Sequence, residues 1–379
     1  MFDYQRTNRF FAQVSHEMEA LGAEELAGLN ARNICPAYRG IYFEADKAVL
    51  YAINYTSRYL TRVLAPLITF ECHTTQYLYK KAEGLNWGGL FSTDHSFAIF
   101  STVTHSQITH SRYAALCLKD AIVDYFRESY AKRPRIDTIK PDVWINLHIE
   151  HDRATISLDT SGGSLHRRGY RQALVEATMQ ETVAAAIIGL SEWDGSQPIY
   201  DPMCGSGTLL SEALMRYCVI PSGILRQRFG FEFLPDFDRT LWLGIKRIAD
   251  KAIRPLPAGL IAGSDVSPEA VNAARKNTAR LPHGSEIVLE IRDFQKIEGL
   301  PNTTIVSNPP YGVRLGTKGS AGRLYRVLGD FLKQRCQGSV AYIYFGDRKL
   351  IPEIGLRPAW KKPLRNGGLD GRVAKFEIY

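Results

Sequence analysis

The sequence predicts an α/β protein, in which a doubly wound parallel sheet follows smaller α+β modules. From about residue 178 short apolar strands alternate with helical segments, the pattern of a parallel sheet covered by helices. Three of these strands end at or just before an acidic residue, and a fourth ends before Asn-Pro-Pro-Tyr. Before residue 160 the elements are short and mixed, which is typical of α+β structure.

The length of 379 residues is enough for two or three domains. Hydrophobic residues make up 45% and charged residues 23%, a balance that excludes wholesale disorder. No apolar run approaches the roughly 20 residues of a membrane helix, and the N-terminus lacks the pattern of a secretory signal. The six cysteines show no CxxC spacing, which argues against a zinc or disulfide framework. We therefore expect a cytoplasmic, water-soluble protein.

The net charge of +8 is unevenly distributed along the chain. Residues 1–165 carry 17 basic and 18 acidic side chains, whereas residues 166–379 carry 30 and 21. A basic protein is compatible with a polyanionic partner such as nucleic acid. Solubility alone explains the charge equally well, so the charge by itself does not identify the partner.

The N-terminal part is interpreted as two modules, residues 1–66 and residues 67–160. The predicted strands are 10–14, 40–43, 96–103, 143–149 and 153–158, and the predicted helices are 18–29, 46–54 and 111–130. Ser161-Gly162-Gly163-Ser164 then interrupts the pattern with hinge-like composition. Residues 161–177 are therefore predicted to be a linker.

The C-terminal domain is predicted to span residues 178–379. Its predicted strands are 198–201, 260–265, 287–291, 304–307 and 340–345. Residues 217–258 interrupt the alternation of strands and helices, and we interpret them as an insertion.

A glycine-containing loop follows the first of these strands: Asp201-Pro202-Met203-Cys204-Gly205-Ser206-Gly207-Thr208. Gly205 and Gly207 allow a tight turn and close approach of a ligand, and the next helix presents free N–H groups. The loop lacks the third glycine of a dinucleotide fingerprint and the lysine of a phosphate loop. Asp201 favours a cationic or hydroxyl-bearing ligand over a pyrophosphate. These features predict a cofactor site rather than a structural turn.

Two further acids follow neighbouring strands. Asp265 precedes a helix start at Ser267-Pro268, a context in which a carboxylate can bind both hydroxyls of a ribose. It lies 60 residues after Gly205, where about 20 is usual. Glu232 is nearer that distance but lacks the strand and the capped helix, so we retain Asp265. Asp293 can accept a hydrogen bond from an exocyclic amino group, with Phe294 against the ring.

The most specific motif is Asn308-Pro309-Pro310-Tyr311, directly after an apolar strand. The two prolines fix the backbone and free carbonyl groups from sheet pairing. Asn308 Oδ1 and the Pro309 carbonyl can then accept both hydrogens of a planar exocyclic amine, and Tyr311 can stack on the base. This arrangement aims the nitrogen lone pair at an electrophile without a strong base.

The glycine loop and the Asn-Pro-Pro-Tyr motif together resemble class I S-adenosylmethionine-dependent amino-methyltransferases. Residues 67–160, with Leu165-His166-Arg167-Arg168-Gly169-Tyr170-Arg171, resemble a THUMP domain and its exit into the catalytic domain. The order of these parts is similar to that in THUMP-containing RNA guanine-N2 methyltransferases, especially those that act on large-subunit (23S) ribosomal RNA. The resemblance implies a Rossmann-like methyltransferase domain after ferredoxin-like and THUMP modules.

The resemblance also implies S-adenosyl-L-methionine as cofactor and assigns the candidate residues. The methionine part would contact Asp201, Gly205 and Gly207, the ribose Asp265, and the adenine Asp293 and Phe294. The cofactor would also contact Pro202, Met203, Cys204, Thr208 and Asn308. The target base would be held by Asn308, Pro309, Pro310 and Tyr311. The expected RNA contacts are Lys132, Arg133, Arg135, Arg167, Arg168, Arg171 and Arg314. The three arginines of the linker can equally pack the domains together.

Several alternatives remain open. Transfer RNA is the alternative substrate, because THUMP domains commonly accompany tRNA-modifying enzymes. DNA adenine and protein glutamine methylation share the Asn-Pro-Pro-Tyr motif but are disfavoured by the N-terminal modules. From another class, the chain could be a non-catalytic RNA-binding or ribosome-assembly factor with a vestigial cofactor site. His148 and His151 flank a turn and are not expected to bind a metal. The oligomeric state is undetermined.

Overall fold

The computed structural model describes residues 1–173, 179–311 and 318–379, with side chains from residue 321 onward in the last range. The described strands are β1 Arg9–Val14, β2 Arg32–Ala37, β3 Gly40–Glu44, β4 Leu60–Glu71, β5 Ser96–Thr104, β6 Arg135–Ile136, β7 Val143–Glu150, β8 Arg153–Asp159, β9 Ile199–Asp201, β10 Ile261–Asp265, β11 Val288–Ile291, β12 Thr304–Ser307, β13 Val340–Phe345, β14 Trp360–Pro363 and β15 Arg372–Glu377. The described helices are α1 Asp3–Thr7, α2 Glu19–Gly28, α3 Lys47–Thr56, α4 Thr75–Glu83, α5 Ser111–Tyr130, α6 Glu181–Leu190, α7 Thr208–Tyr217, α8 Arg239–Lys251, α9 Pro268–Thr278 and α10 Lys318–Arg335. Among these helices, none combines the length and the apolar character that crossing a bilayer requires.

The N-terminal strands form one continuous sheet in the order β2-β3-β1-β4-β8-β7-β5-β6. The long strand β4 joins its two halves, because it pairs antiparallel with β1 on one side and with β8 on the other. The module boundary expected between residues 66 and 67 falls inside β4. Periodicity does not predict this strand, because buried residues of β4 do not alternate strictly with exposed ones.

The second sheet has the order β11-β10-β9-β12-β13-β15-β14. Its first five strands are parallel and lie within one residue of their predicted bounds. The antiparallel pair β14 and β15 was missed. Strand β14 is short, mostly exposed and ends in a proline, the composition of an edge strand that periodicity does not detect.

Helices cover both faces of this sheet, which confirms the predicted α/β class. Helix α6 packs against α7 on one face, and α10 packs against Phe294 and the β13 side chain Phe345 on the other. The strand order reverses between β9 and β12, so the carboxyl ends of these two strands and of β10 border one crevice. In open α/β sheets, ligands bind at such a reversal point.

The predicted insertion, residues 217–258, docks the catalytic domain onto the N-terminal sheet. Its aromatic side chains pack on helix α3: the ring centroids are 4.5 Å apart for Phe231 and Tyr51, and 5.3 Å apart for Trp242 and Tyr55. The backbone N–H of Asp238 donates to the Tyr51 hydroxyl at 3.0 Å. The segment is therefore a domain interface rather than a peripheral addition.

The segment predicted to be hinge-like is held rigidly where it leaves the N-terminal sheet. Ser161 is fully buried, and its hydroxyl donates to Asn54 Oδ1 at 2.8 Å and accepts from the Val63 backbone at 2.9 Å. The positive φ of Gly162 lets its backbone approach Gly230, whose N would lie 2.8 Å from a Cβ at this position. Glycine serves close packing here, and the linker over residues 161–177 stays a prediction.

The expectation that Arg168 contacts RNA is also wrong. Its side chain is fully buried, where the guanidinium donates to the backbone carbonyls of Leu165 at 2.8 Å and Arg58 at 2.5 Å. It also lies 3.4 Å from the Glu212 carboxylate on α7. Arg168 therefore fills the alternative role of packing the two domains together.

This burial makes a direct prediction for stability. We expect Arg168→Ala to lower the free energy of unfolding by about 3 kcal/mol or more, because it removes the guanidinium beside the buried Glu212 carboxylate and the donor to two backbone carbonyls. The neighbouring Arg167 is exposed, so Arg167→Ala is the matched control and should change stability by less than about 0.5 kcal/mol. Chemical denaturation measures both variants. Equal stability of the two variants would contradict the packing role of Arg168.

Candidate active site

A cavity of about 550 Å³ lies at the carboxyl ends of β9, β10 and β12. It brings together most of the residues that the sequence indicated. Those that line it are Asp201, Pro202, Met203, Cys204, Gly205, Thr208, Asp265, Asp293, Phe294, Asn308 and Pro310. The volume falls within the range of small-molecule and cofactor sites.

Asp201 is the most buried acid of the cavity. Its side chain ends β9 with 1% exposure, and its Oδ1 accepts hydrogen bonds from the Met203 backbone at 3.1 Å and the Ser307 hydroxyl at 3.0 Å. Burial raises the pKa of Asp201 to about 7, and the nearby charge of Asp265 adds to the rise. Among the described residues, no cation pairs with the Asp201 carboxylate, and a cationic ligand would supply that partner.

The glycine loop turns sharply between β9 and α7. Gly205 has a φ of +54°, and its backbone N–H donates to Asp265 Oδ2 at 2.9 Å. Gly207 caps α7 with a φ of +79°, where a Cβ would come within 3.1 Å of the Ala274 Cβ on α9. The loop therefore needs glycine both for its backbone conformation and for close packing.

Burial raises the pKa of the Cys204 thiol well above its usual value, so the thiol is neutral and is no nucleophile at pH 7.

Asp265 has the local context that the sequence indicated. Its Oδ1 accepts from the Ser267 backbone at 3.0 Å, and the Ser267 hydroxyl caps α9 by accepting from Ala270 at 3.1 Å. Glu232 lies elsewhere: its carboxylate accepts from the Phe229 backbone at 2.7 Å, in the turn that packs on β8. Of the two candidates for the ribose, only Asp265 lines the cavity.

Asp293 and Phe294 form another wall. Asp293 accepts from the Gln295 backbone at 3.0 Å, which starts a short 3₁₀ helix. The ring of Phe294 is buried and packs edge-to-face on Phe331 of α10, with centroids 5.6 Å apart. This contact fixes an apolar surface beside a carboxylate, the combination expected for an adenine.

The Asn-Pro-Pro-Tyr motif follows β12 at the same edge. Asn308 Oδ1 is buried and has no hydrogen-bond partner among the described residues. Leaving such an acceptor unsatisfied costs about 1–3 kcal/mol, which a donor on a ligand would recover. The Pro309 carbonyl accepts from the Tyr325 hydroxyl at 3.4 Å, and a carbonyl oxygen has a second lone pair that can accept from another donor.

Tyr311 occupies a packed position beside the cavity. Its ring contacts Tyr344, with centroids 6.4 Å apart, and lies against Gly346, where a Cβ would be 2.2 Å from the ring. Gly346 is therefore required for the described position of Tyr311. Stacking of Tyr311 on a target base stays a prediction.

The candidate RNA contacts separate into surface and interior residues. Lys132, Arg133, Arg135 and Arg167 are exposed. Arg171 is not a surface residue: its side chain is 15% exposed and donates to the Met179 carbonyl at 2.8 Å and to Thr208 Oγ1 at 3.2 Å, both at the cavity wall. Arg314 lies outside the described residues. The surface contacts stay predictions.

The histidines near residue 150 have neighbours that the sequence did not indicate. His148 lies 2.7 Å from the Thr102 hydroxyl. On the surface of the described chain, ligand atoms of His105, Glu150 and His151 lie within 4.8 Å of one another. The expectation that the protein binds no metal stays a prediction.

Sequence reasoning missed Ser307 and Met179. Ser307 ends β12 and holds Asp201 by a hydrogen bond, while Met179 lines the cavity before α6. Finding Ser307 would have required knowledge that β12 is the neighbour of β9, although 106 residues separate Ser307 from Asp201. The apolar Met179 has no chemical signature in the sequence.

Comparison with protein families identifies the domains. The family model described as UPF0020, RMKL-like, methyltransferase domain, matches residues 168–375. This chain belongs to that family. A THUMP domain model matches residues 72–159, and a model of the RlmL ferredoxin-like domain matches residues 9–64. The predicted methyltransferase fold and its N-terminal modules are thereby confirmed.

Two curated relatives match nearly all of this chain but differ in their own length. A Synechocystis protein provisionally named an RNA methyltransferase is 38% identical over 98% of this chain and 97% of its own length. The ribosomal RNA large subunit methyltransferase K/L of Photobacterium profundum is 36% identical over 96% of this chain. The match covers 52% of that protein, so the chain spans about half the length of the K/L relative.

A solved structure has the same architecture across its whole length. SMU.472, a protein provisionally named a methyltransferase and crystallised in complex with SAH, has a TM-score of 0.86 and 26% sequence identity, with 98% of each chain covered. The resemblance thus includes the arrangement of the N-terminal modules on the methyltransferase domain.

The raised pKa of Asp201 predicts how cofactor binding depends on pH. If the ionised carboxylate holds the ammonium group of S-adenosylmethionine, binding must deprotonate Asp201. Because the pKa of the free site is about 7, affinity should rise roughly tenfold from pH 6 to pH 8 and then level off. Calorimetric titration at several pH values measures this change.

Asp201→Asn is the control for this prediction. The amide cannot ionise, so its weaker binding should not change between pH 6 and pH 8. Because a raised carboxyl pKa lowers folding stability as pH rises through it, this variant should be at least as stable as the parent at pH 8. If the affinity of the variant rises with pH as that of the parent does, the titrating group is not Asp201.

Proposed function

We propose that this protein transfers a methyl group from S-adenosyl-L-methionine to the exocyclic N2 amine of a guanine in RNA, above all in 23S ribosomal RNA. The observation that carries the proposal is the buried Oδ1 of Asn308, which has no hydrogen-bond partner among the described residues and belongs to a residue that lines a cavity walled by three carboxylates. An acceptor without a donor at this place suits an amine that arrives with the substrate.

The residues of the cavity fit the proposed cofactor. Asp201 supplies a negative partner for the ammonium group, Asp265 can accept from the ribose hydroxyls, and Asp293 with Phe294 suits the adenine. When bound, S-adenosylmethionine supplies an electrophilic methyl group on a sulfonium. The described cavity wall carries several acids, which also favours a cationic ligand over a phosphate-bearing one.

The chain's own contribution to catalysis is positioning. Asn308 Oδ1 and the second lone pair of the Pro309 carbonyl accept the two hydrogens of the amine and thereby fix the direction of the nitrogen lone pair. Both oxygens are neutral acceptors that stabilise the positive charge growing on the nitrogen during transfer. The prolines keep these acceptors in place because their φ angles are restricted.

The choice of RNA as substrate rests on the N-terminal half. THUMP and RlmL ferredoxin-like models match there, and the K/L relative is named for large-subunit ribosomal RNA. The positive charge of residues 166–379 suits a polyanion. A cytoplasmic location follows from such a substrate. The target base would be turned out of its stack to reach the cavity.

Methyl transfer from labelled S-adenosylmethionine to separated ribosomal RNA, tRNA, DNA and protein tests the proposal. Nucleoside analysis should find the label as N2-methylguanosine in large-subunit RNA. Label in tRNA would keep the chemistry and change the substrate. Absence of cofactor binding would instead favour a non-catalytic RNA-binding factor.

Removal of the Asn308 side-chain acceptor should lower the rate of methyl transfer without weakening cofactor binding. We expect Asn308→Ala to lower kcat by roughly 100- to 1000-fold, because the amine loses one of the acceptors that orient it. Cofactor affinity should stay nearly constant, because Asp201 and Asp265 remain. Asn272→Ala, on the exposed surface of α9, is the control and should leave kcat unchanged. Full turnover by Asn308→Ala would refute the positioning mechanism.

A further inference from the structure

Three basic side chains lie at the carboxyl edge of the second sheet and take no part in the site described above. Arg348 and Lys349 follow β13, and Arg365 follows β14. All three are exposed, and none forms an ion pair with another described residue. We call this set the basic rim.

Strand register places the basic rim at one end of the sheet. Phe345, the last residue of β13, pairs with Arg372, which in turn pairs with Pro363 at the end of β14. The segments that leave β13 and β14 therefore emerge at the same edge as Asn308, which follows the adjacent strand β12. Two chain segments, one after β13 and one after β14, thus contribute one positive surface.

Two contacts connect the rim to the target side of the cavity. Gly346, two residues before Arg348, packs against the ring of Tyr311. Asn366, next to Arg365, accepts from the Gln180 backbone at 3.2 Å, and the preceding residue Met179 lines the cavity. The rim therefore borders the place where the target amine would enter.

The positively charged side chains of the basic rim lie close together. A hydrogen bond from Arg372 lowers the pKa of Asp370, and the charges of Arg365 and Arg348 lower it further, so both guanidinium groups lie near this carboxylate. Asp370 is already paired with Arg372 at 2.7 Å. Asp347 is a second acid here and caps the Lys349 backbone at 3.0 Å. Glu17 is a third, close enough to act on the neighbouring Tyr344 hydroxyl. The three positively charged side chains of the basic rim therefore outnumber the unpaired acidic side chains around them.

We propose that Arg348, Lys349 and Arg365 bind backbone phosphates of the RNA strand beside the target guanosine. This inference rests on the proposed function and names the surface through which the substrate is held at the catalytic edge. Exposed arginine and lysine side chains position nucleic acids through phosphates without reading sequence. A strand held on both sides of an unstacked base presents that base to the cavity.

The test compares two variants of the full chain with equal loss of charge. The rim variant carries Arg348→Gln and Arg365→Gln. The control carries Lys276→Gln and Arg280→Gln, which change exposed residues at the far end of α9, toward the amino ends of the strands. The measurements are the Kd for protein-free large-subunit ribosomal RNA at several salt concentrations, the kcat and KM for that RNA, and the Kd for S-adenosylmethionine.

We expect the rim variant to raise the RNA Kd and KM about tenfold at physiological salt, with kcat at saturating RNA unchanged. The slope of log Kd against log salt should fall by about 1.4, since each lost single-strand phosphate contact removes about 0.7. Cofactor affinity should equal that of the parent chain. The control should change neither the RNA Kd nor the slope by a comparable amount.

Three results would overturn the inference: a parental RNA Kd and salt slope in the rim variant, an equal change in the control, or weaker cofactor binding. Failure of the proposed function is recognised separately, because the parent chain would then methylate no RNA. In that case the RNA Kd and its salt slope still decide whether the rim binds RNA.

Discussion

The hydrogen bond from Ser307 to Asp201 joins the two halves of the catalytic sheet where its strand order reverses. It links the strand that carries the cofactor loop to the strand that carries the Asn-Pro-Pro-Tyr motif. Because both residues are fully or almost fully buried, their relative position is set by the sheet rather than by mobile loops. The distance between cofactor and target amine therefore depends on this contact.

The N-terminal sheet is held to this centre by buried polar groups. Arg58 donates to the carbonyls of Met215 in the last turn of α7 and of Ile220 just after it, and Arg168 bridges Arg58 to Glu212 on that helix. Helix α7 begins at the glycine loop, so the helix that carries the cofactor loop is also the anchor of the N-terminal modules. Removal of one partner from such a buried pair is costly, because the other charge then stays in the interior.

The candidate site residues could be selected from the sequence because their chemistry is local. A glycine loop with Asp201 before it, a capped helix after Asp265 and two prolines after a strand each identify a short segment, and the structure brings all three to one cavity. The arginines of the linker were harder to assign. Burial decides between an RNA contact and a domain contact, and Arg167 and Arg168 are adjacent in sequence but differ completely in burial.

The sequence by itself determined the α/β class, the five parallel strands and the residue types that meet at the cavity, because these depend on periodicity and local motifs. Only the tertiary structure decided that β4 joins the two N-terminal modules, that residues 217–258 form a domain interface, and that Arg168 is interior. It also placed Arg348 and Arg365 at one edge. Each of these outcomes depends on which strands and helices become neighbours, and burial and pairing between distant segments leave no local pattern in the chain.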